Sequence, residues 1–240
     1  MIDIPISEMR ESDVVASTQS VYQSNNTIYP GGHTAQVEYK DAETLLMCTI
    51  YGPHICKQFF KKNDDKCVVD VKCKFPASIR DDPIEEELQL NLKRMLESCV
   101  KRPNYPGWII SVVIDICSIH ADSTKNSLIS ACFNATMFSM NKAGVALKIN
   151  GCAITYWIKE ESKGFSLIAS PTENEEQSAE WAFTIIVNAF QGSSGILELI
   201  THKGVMDLKI LTSDKLIKSV DSVCSKHVEN LKTHKELSGL

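Results

Sequence analysis

An apolar run of 13 residues, GWIISVVIDICSI (107–119), constrains the fold more than any other feature of the sequence. Nearly every position in it is apolar, which predicts a strand covered on both faces. The segment before it, residues 81–100, opens with Asp-Pro and three glutamates and carries an apolar stripe at helical spacing, so it predicts a helix. A second helix is predicted after the run, from Lys125 to Ala143, and Gly144 ends it. Helices on both sides of a buried strand predict a mixed fold.

The remaining segments read mostly as strands, followed by one last helix. The alternating stretch KCVVDVKCK places Cys67 and Cys73 on one face with two valines, so these cysteines are expected in the core. Four later strands are predicted near residues 149–159, 164–168, 181–190 and 196–201. The last helix is predicted to begin near Asp214. Strand groups that alternate with single helices predict an α+β fold, with a flexible leader over residues 1–20 and one domain over residues 21–240.

Composition and charge exclude several classes of protein. The chain of 240 residues has a formal net charge of −5, so it lacks the whole-chain basic charge of a typical nucleic-acid binder. Its nine cysteines form no CxxC pair, which argues against a disulfide framework and a zinc site and suits a reducing compartment. The N-terminus lacks the apolar core of a secretory signal, and no apolar run is long enough to span a bilayer. These features predict a soluble intracellular protein.

An acidic stretch, SPTENEEQSAEW, raises the question of catalysis. It contributes four glutamates between two apolar runs, namely Glu173, Glu175, Glu176 and Glu180. Their carboxylates could bind a hard cation or do general acid–base work. The alternative is a solvated loop between two strands, and it is favoured because no Asp or His lies nearby in sequence to complete a site.

A second candidate lies between the central strand and the following helix, in HADSTKNSLISACFNA. Backbone N–H groups at a helix N-terminus bind anions, and Lys125 would strengthen the attraction to a phosphate. Ser123 and Thr124 add hydroxyl groups, although ordinary capping of the helix explains these two residues equally well. Ser123, Thr124 and Lys125 are therefore candidate ligands of a phosphate or of an RNA backbone.

A third candidate is basic. Lys72 and Lys74 lie on the polar face of the alternating strand, and Arg80 follows the downstream end of that strand. Together they could form a strip that contacts an RNA backbone. A solvated strand face explains each of them taken singly. The histidines are isolated from one another in sequence, so the sequence assigns them no metal or catalytic role.

Five segments, in this order, resemble the RNase PH family, and more closely the RNase PH-like subunits of the eukaryotic RNA exosome ring. They are GHTAQVEYKDAETLLMCTIYGP, NYP, IDICSIHADSTKNSLISACFNA, NKAGVAL and SPTENEEQSAEWAFTIIVN. The third is similar to the strand, loop and helix that carry a Gly-Thr-Arg phosphate site in active members. The fifth resembles an Asp-Pro-Thr…Glu-Glu stretch typical of exosome ring subunits. The resemblance runs from about Gly31 to near the C-terminus and implies the RNase PH-like fold, also described as ribosomal protein S5 domain 2-like.

The sequence departs from active members of this family at the positions that would be catalytic. Lys125 stands in place of the phosphate-loop arginine, in a loop one residue shorter, and lysine lacks the planar fork that binds phosphate through two hydrogen bonds. The two catalytic aspartates of active members fall by spacing on Glu176 and Ala182, and the N-terminal Asp-Gly-Arg-Arg segment is missing. The acidic stretch therefore resembles the remnant of a phosphorolytic site, since an alanine can neither hold a metal nor orient a phosphate.

The resemblance implies a non-catalytic subunit of the exosome core ring, without a metal or cofactor of its own. The partners it implies are other RNase PH-like ring subunits, S1/KH cap subunits, an associated exoribonuclease and single-stranded RNA in the ring channel, with no membrane. The compartments it implies are the nucleus, including the nucleolus, and the cytoplasm. Two alternatives stay open. One is an active phosphate-dependent 3′→5′ exoribonuclease that uses Lys125 and Glu176, and the other is a free homo-oligomeric RNA-binding protein.

Overall fold

Nine strands and four helices are found in the part of the chain that the computed structural model describes, residues 26–29, 32–41, 44–57, 63–76, 82–119, 125–161, 164–168, 177–204 and 208–238. The strands are β1 (Asn26–Tyr29), β2 (Gly32–Asp41), β3 (Thr44–Ile55), β4 (Val68–Lys74), β5 (Trp108–Ser118), β6 (Gly151–Glu161), β7 (Gly164–Ile168), β8 (Trp181–Asn188) and β9 (Ile196–Lys203). The helices are α1 (Asp82–Cys99), α2 (Lys125–Lys142), α3 (Leu208–Leu211) and α4 (Asp214–Ser238). None of these helices has the length and apolarity needed to cross a membrane. The predicted leader, residues 1–20, lies outside the described residues.

The strands form two separate sheets. Sheet 1 has the order β1-β2-β3-β5-β4, and sheet 2 has the order β7-β6-β8-β9. Neighbouring strands are antiparallel except β4 and β5, which run parallel and are connected through α1. A parallel pair needs a long crossover, and the helix predicted within residues 81–100 supplies it. The two sheets and their helices confirm the predicted α+β class.

α2 lies between the two sheets and is bound to both. Residues 131–140 of this helix are all buried. The Asn134 side-chain amide donates to the carbonyl of Ala153 on β6 and accepts from its N–H, both at 2.9 Å. On the opposite side, the Ser139 hydroxyl donates to the carbonyl of Cys48 on β3 at 3.3 Å. A helix segment that is buried on all sides is a core element, and the hydrogen bonds of Asn134 and Ser139 attach it to one sheet on each side.

β5 has one buried face and one partly open face, so the prediction that both faces are covered was wrong. Every second residue from Ile110 to Ile116 is buried among the helices. The intervening Ser111, Val113 and Asp115 are partly exposed. We call their side the open face of sheet 1. An apolar run shows that a strand is central in its sheet, but Ser and Asp at alternating positions mark the side that water reaches.

α4 packs on the far side of sheet 2. Leu216, Val220 and Cys224 are buried there in a second core cluster with residues of β6 and β8. The Tyr156 hydroxyl on β6 lies 2.9 Å from the Ser219 hydroxyl on α4, which ties helix and sheet together. The layers are therefore sheet 1, the helices α1 and α2, sheet 2, and α4.

The C-terminal half of α4 reaches α2. The ring of His227 lies 4.5 Å, between ring centroids, from Phe138 of α2. His227 is buried, and its Nε2 has no hydrogen-bond partner among the described residues. Burial lowers the pKa of His227 to about 4, because a charged imidazole would lose its hydration there. The imidazole is thus held neutral at physiological pH.

The two cysteines predicted for the core lie in it. Cys67 and Cys73, on the inner side of sheet 1, are 0% and 1% exposed. Burial raises the pKa of the Cys67 thiol to about 11 and also raises the pKa of Cys73. Both thiols are therefore protonated at neutral pH and pack as small apolar groups.

Candidate functional site

The first predicted site lies where β5 leads into α2. β5 ends at Ser118, and α2 begins at Lys125, the residue at which the sequence places the helix start. Ser123 and Thr124 lie outside the described residues, and only the main chain of Lys125 is described. The N–H groups of the first turn of a helix have no partner within the helix and can bind an anion. The roles of Ser123, Thr124 and Lys125 as phosphate or RNA ligands stay predictions.

The second predicted site lies at the start of β8. Glu173, Glu175 and Glu176 lie outside the described residues. Glu180 is exposed, and its N–H donates to the carbonyl of Ile158 on β6 at 2.9 Å. This hydrogen bond fixes the chain one residue before β8 begins. It thereby sets which face of sheet 2 Ala182 points to.

Ala182 is packed against a buried indole. It is 1% exposed and lies opposite Trp157 of β6 in the antiparallel register. Ala179 and Ile168 complete a small apolar cluster around Trp157, which is 0% exposed. The Trp157 Nε1 finds no hydrogen-bond partner in the described part of the chain. The position that the resemblance assigns to a catalytic aspartate is therefore a buried contact with an aromatic ring, where a carboxylate would lose its hydration. We call this cluster the indole corner.

A series of hydrogen-bonded side chains lies two residues along β6 and β8 from the indole corner. The Thr155 hydroxyl lies 2.8 Å from the Thr184 hydroxyl, which lies 2.7 Å from Nε2 of His202 on β9. Burial lowers the pKa of His202, and the nearby Glu87 carboxylate opposes that shift. These hydrogen bonds provide partners for the two threonine hydroxyl groups, and the burial of His202 favours its neutral form.

The described geometry gives the indole corner a structural role. Position 182 offers neither an acid nor a metal ligand, whereas acid–base chemistry and metal chemistry would each need a second polar group there. Within the described ranges, no three His, Cys, Asp or Glu side chains are grouped closely enough to ligate a metal ion. The site positions in the acidic stretch and in the loop before α2 are not covered by that statement.

The basic strip predicted along β4 is exposed, and its members differ in their partners. Lys72 and Lys74 both point outward on the open face of sheet 1. The Lys74 Nζ lies 3.4 Å from Oδ1 of Asp115 on β5, with 64% and 42% of these side chains exposed. No ion pair to Lys72 is found among the described residues. Arg80 lies outside them, and the RNA contacts expected of these residues stay predictions.

A cavity of about 390 Å³ opens beside Lys72 on the same face. Its polar side chains are His54, Lys57, Asp70, Lys72 and Ser111, and the rest of the lining is apolar. They come from β3 and the residues just after it, from β4 and from β5, and these strands lie side by side in the order β3-β5-β4. Sequence reasoning missed His54 on β3 and Lys57, two residues after its end, because only the strand order brings them next to β4. We call this feature the sheet-face cavity.

The fold and the family were compared with known proteins. The model of domain 1 of the 3′ exoribonuclease family, RNase PH, matches residues 27–146. The chain is 30% identical to an Arabidopsis thaliana protein named exosome complex exonuclease RRP46 homolog, over 71% of this chain and 73% of that protein. A protein of the same name from Oryza sativa subsp. japonica is 25% identical over 70% of this chain and 72% of that protein.

A solved structure has the same fold. The crystal structure of rice (Oryza sativa) Rrp46 superposes with a TM-score of 0.68 at 20% identity, covering 91% of this chain and 96% of that chain. This match confirms the RNase PH-like fold that the five sequence motifs implied. Given the matched domain and the relative that shares 30% of its residues, this chain belongs to the RNase PH family of 3′ exoribonucleases.

Proposed function

We propose that this chain is a non-catalytic subunit of the RNA exosome core ring. The Arabidopsis and rice relatives are named as exosome complex proteins, and the sequence motifs resemble those of ring subunits. In the ring it would contribute its fold, its contacts with neighbouring subunits and part of the channel wall. That channel would thread single-stranded RNA for 3′→5′ processing and degradation.

The proposed partners follow from this place in the ring. They are other RNase PH-like ring subunits, S1/KH cap subunits, an associated exoribonuclease and single-stranded RNA. The complex would work in the nucleus, including the nucleolus, and in the cytoplasm. The formal net charge of −5 supports RNA contacts that are local, as at Lys72, Lys74, Arg80 and the loop before α2, instead of a surface that is basic throughout.

The packing of Ala182 carries the non-catalytic part of this proposal. Its methyl group fills a buried contact with Trp157 in which a carboxylate would lose its hydration. A phosphorolytic site of this family needs an acid at that position, according to the resemblance. Restoring the acid would require remodelling the indole corner as well as changing one residue.

The second candidate is an active phosphate-dependent exoribonuclease. The relatives named above are called exonucleases, which favours it. Lys125 would then bind phosphate and Glu176 would act as the acid. The buried Ala182 stands against this candidate, because the second carboxylate would have to be supplied from another element or another subunit.

A phosphorolysis assay separates the two candidates. Single-stranded RNA, inorganic phosphate and magnesium are incubated with the wild-type chain, alone and with co-purified ring partners, and the release of nucleoside diphosphates is followed. A matched variant carries Glu176→Asp and Ala182→Asp. We expect no phosphate-dependent release from the wild-type chain. Release that disappears on Lys125→Ala would overturn the non-catalytic proposal, because Lys125 would then serve a working site.

A further inference from the structure

The sheet-face cavity has the size and the mixed lining of a nucleotide site. Its volume of about 390 Å³ lies within the range of about 300–1,000 Å³ that is typical of small-ligand pockets. Ile55 and Val113 supply apolar surface beside the polar groups, and Ile55 is 63% exposed. Exposed apolar surface next to lysines suits a ligand with a flat apolar part and a charged part. A nucleotide has both.

An irregularity in β3 builds one wall of the cavity. The pairing of β3 with β5 shifts register between Tyr51 and His54, which is a local bulge. Gly52 makes the bulge possible because its φ is 107°, and a Cβ there would come within 2.7 Å of the Ile109 carbonyl oxygen and 2.8 Å of His54 Nδ1. Bulges commonly redirect a side chain beside a binding site. Here the bulge brings His54 and the residues after it to the cavity.

The charges in the cavity are mostly positive. Lys57 and Lys72 are exposed lysines, and neither makes an ion pair within the described part of the chain. Lys72 and Asp70 project from the same side of β4, about 6.6 Å apart along the strand. The Ser111 hydroxyl lies opposite Asp70 on the neighbouring strand. Two ammonium groups beside one carboxylate leave a net positive charge, which attracts the phosphates of an RNA backbone.

We propose that the sheet-face cavity binds one nucleotide of a single-stranded RNA. Lys57 and Lys72 contact the flanking phosphates. The base lies against Ile55 and Val113, with the imidazole of His54 available for stacking or for a hydrogen bond to the base edge. The Ser111 hydroxyl offers a hydrogen-bonding group for the ribose 2′-hydroxyl, which distinguishes RNA from DNA. The site lies in sheet 1 and is separate from the position of Ala182 in sheet 2.

This inference rests on the proposed function, since it supplies an RNA contact to a chain without catalysis. Its test is RNA binding by the full-length chain, measured by fluorescence anisotropy with a labelled single-stranded oligouridylate at several salt concentrations. The variant is Lys57→Ala with Lys72→Ala. The matched control is Lys218→Ala with Lys232→Ala, which removes the same charge from exposed positions on α4. Circular dichroism confirms that all the proteins are folded.

We expect the cavity variant to bind about tenfold more weakly than wild type, and the control to bind as wild type does. The slope of log K against log salt should become shallower by about 1.4 in the cavity variant, because two phosphate contacts are lost at about 0.7 each for single strands. The DNA oligonucleotide of the same sequence should bind more weakly than the RNA, and inorganic phosphate at equal concentration should compete less than uridine monophosphate.

Three outcomes would overturn the inference. They are no RNA binding by the wild-type chain, an unchanged affinity and salt slope in the cavity variant, and a cavity variant that keeps RNA affinity but no longer assembles with ring partners. The last outcome would make the cavity a protein contact. The proposed function fails on different evidence, namely phosphate-dependent release by the wild-type chain or its failure to assemble into a ring. The two can therefore stand or fall separately.

Discussion

The indole corner of sheet 2 and the open face of sheet 1 differ in the exposure of their side chains to water. At the indole corner, Ala182 and Trp157 are almost fully buried and pack against each other. On the open face, Lys72 and Lys74 keep their ammonium groups in water on the outer side of β4. The RNase PH family resemblance would place chemistry at the first region, whereas these exposed lysines lie at the second.

The two regions differ in how well they can accommodate a charged side chain. A carboxylate at the indole corner would have to be dehydrated, whereas a lysine on the open face keeps its hydration until a ligand displaces the water. An alanine at position 182 keeps the indole corner apolar. The exposed lysines of β4 lie on the other sheet.

The largest effect expected of a single change is the loss of the buried indole. Trp157→Ala should lower the free energy of unfolding by about 3–5 kcal/mol, because it removes a fully buried side chain and leaves a cavity. Trp108→Ala, at a residue that is 38% exposed, should cost less than half as much. Urea unfolding followed by far-UV circular dichroism measures both. Equal losses in the two variants would show that the indole corner is not a packed core element.

The next effect is the loss of stability at low pH that is expected from the buried His227. Its folded-state pKa of about 4 is below the value of about 6.5 expected in the unfolded chain, so the unfolded state binds the proton more readily. The stability that this difference provides is complete above pH 6.5 and is lost as the pH falls toward 4, up to about 3 kcal/mol.

His227→Phe should flatten the stability profile between pH 6.5 and 4 while keeping an aromatic contact with Phe138. Chemical unfolding at a series of pH values measures the slope for wild type and variant. The two proteins are compared first at pH 8, where both residues at this position are neutral. Parallel profiles down to pH 4 would mean that this histidine does not drive the acid sensitivity.

A smaller loss is expected when a carboxylate is placed in the indole corner. Ala182→Asp should cost about 2–3 kcal/mol at neutral pH, because the charged group is dehydrated. Burial would raise the folded-state pKa of this aspartate, so the loss should be smallest at acid pH and grow as the pH rises through that pKa. Ala182→Asn is the uncharged control of similar shape. An Asp variant as stable as the Asn variant at every pH would show that water or a cation reaches this position.

Local signals predicted the fold better than they predicted the sites. Acidic residues and Pro83 in the first turn marked the start of α1, and Gly144, with its φ of 67°, marked the end of α2. These inferences need only neighbours in sequence. The assignment of position 182 to a catalytic acid came from the family resemblance and stays a prediction.

What the sequence could not reveal depends on pairing between distant strands. The open side of β5 was missed because an apolar run does not show which elements cover a strand. Lys57 and Lys72 share a cavity only because β5 lies between β3 and β4. The Nε2 of His227, which has no hydrogen-bond partner in the described part of the chain, likewise depends on the packing of α4 against α2. Each of these features follows from long-range packing, which periodicity alone does not specify.

The smallest effect tests whether the charges of the open face serve stability at all. Lys74→Ala should lower the free energy of unfolding by less than about 1 kcal/mol, since its ion pair with Asp115 is well exposed to water. Lys72→Ala should cost no more, because Lys72 has no such pair among the described residues. A double-mutant cycle of Lys74→Ala and Asp115→Asn in urea unfolding isolates the pair. A coupling energy above about 2 kcal/mol would mean that the open face stabilises the fold through its charges, and the contrast between the two regions would then fail.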